Sequence, residues 1–288
     1  MDEEKMMILR MLQEGRITPE EALKLLEALE KRRGFPTDKI GRVIEETFSY
    51  IGNLSSELRG FFETVFGPAG VSTSISIPQA ASLEIDHRGG NLRLRGVEEG
   101  RDLTLSGTAR HRYEVENGKV KLHTARGDAE VSVPAHVSEL RAEIRGGGLT
   151  ALNLSIGGRV SMRCAGGSVE INGLRCSELE LMVAGGGLSC SNLSVEAVRA
   201  AVAGGNLRAD LGDLKSGRVE IDVTGGNVEL KFGPSPAFSI EGEVIGGDLS
   251  LERELDQISR EGGRFSGSIG EGGAEIKVSV RGGYLRIK

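Results

Sequence analysis

Four histidines, three cysteines and a recurring set of glycine pairs are the residues of this 288-residue chain whose types could do chemistry. Histidine and cysteine could ligate a metal or serve as base and nucleophile, and glycine-rich turns could cradle phosphate or calcium. Their spacing supports none of these. His87, His111, His123 and His136 contain no HExxH, and His87 falls at an inward strand position, where a hydrogen-bonded structural histidine is expected. Cys164, Cys176 and Cys190 are odd in number and contain no CxxC, so they read as reduced thiols, Cys164 serving as a small core residue. Gly212 to Arg218 has phosphate-loop glycine spacing without the Lys-Ser/Thr ending. Calcium-binding rolls need an aspartate after each GGxG, and Asn206-Leu207-Arg208 and Asn227-Val228-Glu229 supply none. A polysaccharide-cleaving groove would gather carboxylates beside aromatics, yet aromatics are 4%, tryptophan is absent and the acids do not cluster at one repeat position. The sequence therefore predicts no catalytic residue, no cofactor and no metal.

The elements behind these residues explain the glycines better. Second glycines of pairs fall at Gly147, Gly167, Gly186, Gly205, Gly226 and Gly247, a period of roughly twenty residues. Arg126-Gly127 is a half-kept copy, and Gly90 and Gly283 stand about two periods from their neighbours, as if one pair had degenerated in each gap. Two residues before each pair come His87, Thr124, Ile144, Cys164, Val183, Val202, Val223, Val244 and Val280. Three residues after its first member come Leu92, Ala129, Leu149, Val169, Leu188, Leu207, Val228, Leu249 and Leu285. Residues between these rows are mostly charged or small. Such period-two alternation predicts strands with one buried face, turned at a glycine corner followed by Asn, Asp, Ser or Gly.

A two-strand unit of this size cannot bury its apolar face alone, but stacked copies bury a continuous column. The predicted fold is mainly β: a single-stranded β-solenoid of roughly twenty-residue coils spanning residues 71–288, with Gly90, Gly127, Gly147, Gly167, Gly186, Gly205, Gly226, Gly247 and Gly283 as corners. A β-sandwich of hairpins would show irregular turns and strand lengths. Arg126-Gly127-Asp128 spells an integrin-binding tripeptide but sits in register as a corner. The final Gly282-Gly283-Tyr284-Leu285-Arg286-Ile287-Lys288 is expected to leave an open strand edge, from which a bactofilin-like polymer is the alternative to a scaffold.

Residues 1–34 predict a small α-helical hairpin. Thr18 is the N-cap of its second helix, Pro19 the first helical residue and Glu21 the closing partner of a capping box. Ala22, Leu25, Leu26 and Leu29 form one apolar stripe; Leu9, Leu12 and their neighbours supply the facing helix. So small a pair is marginal alone, which makes these residues the candidate surface for a protein partner or for self-association. Residues 35–70 continue as an amphipathic helical segment holding five of the eight phenylalanines. Three roles stay open for it: capping the first coil, lying on a membrane surface, or pairing with another subunit.

A formal charge of −6 excludes nucleic acid as the main partner, since phosphate binding needs a basic surface. The start MDEEKMMILR is acidic and interrupted by Arg10, so neither a signal peptide nor an integral span is expected. The expected compartment is the cytoplasm, with peripheral membrane contact left open.

With both parts placed, the chain resembles a bacterial β-strand-repeat family labelled "putative adhesin" and of unknown function. LEIDHRGGNLRLRG, GKVKLHTARGDAEVSVP and RVEIDVTGGNVELKFG look like its repeats, and EEKMMILRMLQEGRITPEEALKLLEAL is similar to the SHOCT-like hairpin of its YvlB-like and LiaX-like members. The resemblance implies the solenoid-plus-hairpin architecture, no enzymatic activity and a cell-envelope-stress context, with no site residue to carry over. The adhesin label implies surface exposure, from which the absence of an export signal departs. The function expected is a non-enzymatic scaffold; a carbohydrate-binding solenoid is the third reading.

Overall fold

A computed structural model of the protein describes residues 73–98, 100–271 and 273–288. The hairpin of residues 1–34, with Leu9, Leu12, Ala22, Leu25, Leu26 and Leu29, and the amphipathic segment of residues 35–70 lie outside the described residues. Every regular element described is a strand. The order is β1 (Thr73–Ser76), β2 (Ser82–Arg88), β3 (Leu92–Val97), β4 (Asp102–Gly107), β5 (Arg110–Glu116), β6 (Lys119–Ala125), β7 (Ala129–Pro134), β8 (Glu139–Arg145), β9 (Leu149–Ser155) and β10 (Arg159–Ala165). It continues with β11 (Val169–Ala184), β12 (Leu188–Ala203), β13 (Leu207–Gly212), β14 (Gly217–Thr224), β15 (Val228–Phe232), β16 (Phe238–Ile245), β17 (Leu249–Leu251), β18 (Asp256–Glu261), β19 (Arg264–Ile269), β20 (Ala274–Arg281) and β21 (Leu285–Ile287).

Each glycine pair joins a strand before the corner to one after it, and like strands of different coils pair in parallel register. Ile144, Cys164, Val183, Val202 and Val223 lie opposite one another on successive strands, as the repeat alignment requires. The inward rows from both sides of the corner share one core, in which Leu83, Ile85, Leu92, Leu94, Val228 and Leu285 are buried. This is the solenoid-like stack expected from the alternation. All nine predicted corners fall in one column along its edge.

The two glycines of a corner serve different needs. The first adopts a left-handed backbone, φ +73° at Gly146 and +70° at Gly204, that costs an L side chain energy. The second has a backbone so close to the next coil that an added Cβ would stand 1.9 Å from the Gly147 carbonyl oxygen at Gly167 and 1.8 Å from that of Gly186 at Gly205. At the half-kept corner Arg126 itself takes φ +59°. The residue after the pair does more than turn the chain. Its side chain accepts a hydrogen bond from the N–H of the corresponding residue in the adjacent coil: Gly148 N donates to Asn91 Oδ1 at 3.1 Å, Asn227 N to Asn206 Oδ1 at 3.0 Å and Tyr284 N to Asn227 Oδ1 at 3.1 Å.

The stack departs from sequence order at both ends. β2 lies between β6 and β8, and β20 lies between β14 and β16. The corners follow suit: a Cβ on Gly147 would meet Gly90, one on Gly90 would meet Gly127, one on Gly247 would meet Gly283, and one on Gly283 would meet Gly226. Thus the first coil is covered by the second, and the last is inserted beneath the one before it. The final strand is consequently no edge: β21 is hydrogen-bonded to β15 on one side and β17 on the other. Arg286 and Lys288 pair with Glu252 at 3.3 Å and Glu229 at 3.2 Å.

The two gaps that read as degenerate corners are antiparallel strands. At one end β5 pairs with β6, and β4 pairs with both β7 and β1. At the other, β19 pairs with β16, and β18 with β19. The outer strands carry the usual protection against edge-to-edge pairing: Arg110, Arg112, Glu114 and Glu116 along β5, and on β18 a bulge between Asp256 and Ser259 beside Arg260 and Glu261.

The corner geometry separates two substitutions at adjacent glycines. Gly204→Ala adds a methyl group with nothing within 4 Å and bears only the left-handed backbone penalty, about 1–2 kcal/mol. Gly205→Ala drives a methyl group into the Gly186 carbonyl, and is expected to cost more than about 4 kcal/mol, the range of changes a structure cannot absorb. Urea unfolding of the two variants checks this; equal losses would contradict the close-approach account.

Candidate functional site

Catalytic chemistry needs convergent groups with suitable ionisation, and the described residues place theirs apart or in ion pairs. Cys164, Cys176 and Cys190 are all buried and unpaired. Burial pushes the Cys176 and Cys190 thiols up to about 12, far from a reactive thiolate. No group of three His, Cys, Asp or Glu residues among the described residues could hold a metal. His123 Nδ1 lies 3.7 Å from Asp86, and His111 Nε2 is hydrogen-bonded to Thr73 Oγ1 at 3.1 Å.

A groove of about 570 Å³ crosses the outer face of β14, β20, β16 and β19 and contains Glu220, Asp222, Glu241 and Glu243. This is the acidic groove that a carbohydrate-cleaving reading would require. Two of its acids are engaged in ion pairs: Arg199 bonds Glu220 at 2.7 Å and Arg264 bonds Glu243 at 3.2 Å. The hydrogen bond from Arg199 holds the Glu220 carboxyl below its ordinary range. A glycosidic general acid needs the opposite shift. The one aromatic lining residue, Phe265, is buried rather than presented as a sugar platform.

The rest of that face is an ionic ladder. Outward residues of neighbouring coils oppose each other as Lys121–Glu84–Arg141 at one end and Arg199–Glu220–Lys277–Glu241 at the other. In the middle the ladder gives way. Successive strands β10, β11, β12 and β14 present Arg163, Met182, Ala201 and Asp222 in one row and Ala165, Ala184, Ala203 and Thr224 in the next. These line a shallow groove of about 400 Å³. Met182 is 38% exposed there, a large apolar side chain facing out from the sheet. An apolar patch bounded by charges is a docking feature.

The predicted partner-binding residues of the leader lie outside the described residues, so the groove is a second candidate that sequence reasoning did not name. Its signal was present in the aligned repeats: Ala165, Ala184 and Ala203 stand where the first coil and the coil cornered at Gly147 carry Arg88 and Arg145, and Met182 and Ala201 where they carry Asp86 and Glu143. Among the described residues no helix is long and apolar enough to cross a membrane.

Residues 45–288 match the family described as Toastrack DUF4097, and residues 3–34 match a SHOCT-like domain. No curated protein matches the chain. Among solved structures, it is similar to a "putative cell adhesion protein" from Clostridium sporogenes at 12% identity, covering 77% of this chain and 99% of the other with a TM-score of 0.35. It is also similar to a "putative lipid binding protein" from Parabacteroides distasonis, at 15% identity, 76% and 97% coverage and a TM-score of 0.39. A "putative adhesin" from Parabacteroides merdae is similar at 10% identity, 76% and 96% coverage and a TM-score of 0.35.

One buried titratable group governs how the stack responds to acid. His87 is fully buried in the inward row between Thr124 and Ile144, with Nδ1 2.7 Å from Thr124 Oγ1 and no hydrogen-bond partner for Nε2. Burial lowers its imidazole below the usual 6.5, against the opposing pull of the Gly90 backbone and of Asp128 and Asp86. The unfolded chain therefore takes up this proton more readily than the folded one. Stability is full above about pH 6.5 and falls below it, by at most about 1.4 kcal/mol per pH unit. The Glu84 and Asp86 carboxyls, held low by hydrogen bonds from Lys119 and Arg88, add their losses only in stronger acid. Replacing His87→Ile together with Thr124→Val is expected to flatten denaturant-measured stability between pH 6.5 and 5. An unchanged slope would assign the dependence to another group.

Proposed function

The chain belongs to the Toastrack DUF4097 family, and from that premise we propose that it is a non-enzymatic scaffold in which the β-stack offers a docking face and the SHOCT-like leader of residues 1–34 captures a protein partner. The observation that carries this reading is the apolar groove around Met182, bordered by the charged residues Glu143, Arg145, Arg163 and Asp222. Catalysis would instead need acids or thiols released from pairing and burial, and Glu220, Cys176 and Cys190 are shifted the wrong way for that work.

The division of labour follows from size. The stack has its own continuous core, whereas the hairpin that the sequence of residues 1–34 predicts is too small to be an end in itself and would gain stability by covering its stripe with a partner. The family resemblance supplies the setting we propose, the response to cell-envelope stress, and the acidic, Arg10-interrupted start of the sequence supports placing it in the cytoplasm. The polymer reading rested on an open final strand, and with β21 paired on both sides that motive is gone.

Deleting residues 1–34 is expected to leave the thermal unfolding of the stack unchanged and to abolish recovery of partners in affinity capture from the native cell. Recovery of the same partners by the shortened chain would contradict the assignment of binding to the leader.

A further inference from the structure

The coil formed by β20 and β21 enters a slot whose two walls precede it in the chain. β14 and β15 make one wall, β16 and β17 the other, and β20 and β21 lie between them, paired in parallel with both. Residues 233–237, Gly-Pro-Ser-Pro-Ala, carry the chain from β15 to β16 across two strand spacings, roughly 10 Å. Pro234 and Pro236 stiffen this strut. Its anchors do not belong to the inserted coil. Ser235 N donates to Asp213 Oδ1 at 2.7 Å, Ala237 N to Leu214 O at 2.9 Å and Arg253 Nη1 to Gly233 O at 2.7 Å. Phe232 and Phe238, at the two ends of the strut, stack with ring centroids 4.3 Å apart. The walls are thus tied to each other without β20 and β21. The inserted coil, by contrast, follows β19, which lies on the far side of β16 and pairs with it antiparallel. A single connection after Ile269 joins it to the rest of the stack.

We propose that this slot is a binding site for a strand–Gly-Gly–strand segment, that β20 and β21 are its ligand supplied in cis, and that it accepts the same coil from a second copy in trans. The slot selects its occupant by charge, shape and main-chain bonding together. On the outer face Lys277 separates Glu220 from Glu241, Glu275 bonds Arg218 at 3.2 Å and Lys288 bonds Glu229 at 3.2 Å. On the inner face Ile276, Val278, Val280, Leu285 and Ile287 are buried. At the corner a Cβ on Gly283 would stand 1.8 Å from the Gly226 carbonyl oxygen, so the occupant needs glycine there. Both edges of the inserted coil are bonded around that corner: Gly225 N donates to Arg281 O and Gly282 N to Ile245 O, each at 2.8 Å. Insertion therefore satisfies two strand edges, where addition at an outer edge satisfies one. Exchange of this coil between two copies joins their stacks by contacts each already makes alone, which is association by domain swapping. The inference is independent of the Met182 groove and of the leader.

Cleavage of the folded full chain at a protease site inserted after Glu271 tests this. The cleaved coil is expected to stay with the stack through size-exclusion chromatography. An excess of a fluorescein-labelled synthetic peptide of residues 272–288 is then expected to replace it, read as a rise in anisotropy. The uncut chain, whose tethered coil competes at high effective concentration, is expected to take up at least tenfold less. Peptides carrying Lys277→Glu, which sets three acids in a row, or Gly283→Ala are each expected to bind at least tenfold more weakly. A Ser279→Ala peptide, altered at an outward position, is expected to bind like the parent. Loss of the sheet's circular dichroism on cleavage, release of the coil without uptake of the peptide, or no exchange at all would make the coil an integral part of the core and overturn the proposal. Equal uptake of the Lys277→Glu, Gly283→Ala and parent peptides would also overturn it, because binding would then be unselective edge pairing.

Discussion

The structure depends on a close approach of backbone to backbone at the second glycine of each corner. There the carbonyl oxygen of the adjacent coil occupies the place of a side chain, as at Gly147, Gly226 and Gly247, where an added Cβ would lie 1.6 to 1.7 Å from it. The constraint fixes more than a turn. It brings the corners into one column and thereby sets the register of the strands on either side, so that Ile221 falls beside Val278 and Leu207 beside Val228. Register decides which side chains are buried, since a slip of one residue would turn each inward row out. It also decides which outward residues oppose each other across coils, and so where the ionic ladder and the apolar groove lie.

Electrostatics on the outer face explains the exchanged coils at the ends. Stacked in sequence order, Lys121 would lie opposite Arg141, and Glu220 opposite Glu241, arrangements that destabilise a sheet. In the observed order Glu84 separates the two basic residues and Lys277 the two acids. One row away the exchange acts in the other sense, placing Asp86 opposite Glu143, and there each acid is paired with an arginine of its own strand, Arg88 and Arg145. The exchange also leaves antiparallel strands rather than open coils at β5 and β18. A stack that would otherwise offer a template for further coils is thus closed at these edges by charged, bulged strands.

Much of this was legible in the sequence. Period-two alternation located the inward rows, and the inward positions of His87 and Cys164 are where the repeats placed them. Stacking order was not legible from spacing, because a period is a one-dimensional signal, and a coil of the right length fits its neighbours in either order. The information resided in the identities of outward residues such as Lys121, Arg141, Glu220 and Glu241, which only a cross-coil comparison exposes. The strands at Asp102–Glu116 and the hairpin at Asp256–Ile269 were read as decayed corners because their lengths equal a missing repeat, although the six residues of β18 are all exposed and could never have formed an inward row. The groove was hidden for the converse reason: alanines at outward positions look unremarkable until the charges of the neighbouring coils are aligned with them.

The most direct test of the account is the order of the coils, read by disulfide trapping in a background with Cys164, Cys176 and Cys190 replaced. Adjacent strands lie about 4.8 Å apart, within the range a disulfide spans, whereas strands two apart are beyond its limit of about 7 Å. Glu220→Cys combined with Lys277→Cys should cross-link on oxidation, and Glu220→Cys combined with Glu241→Cys should not. The reverse outcome, a bond to residue 241 and none to residue 277, would mean that the coils follow sequence order and that the exchanged stack is wrong.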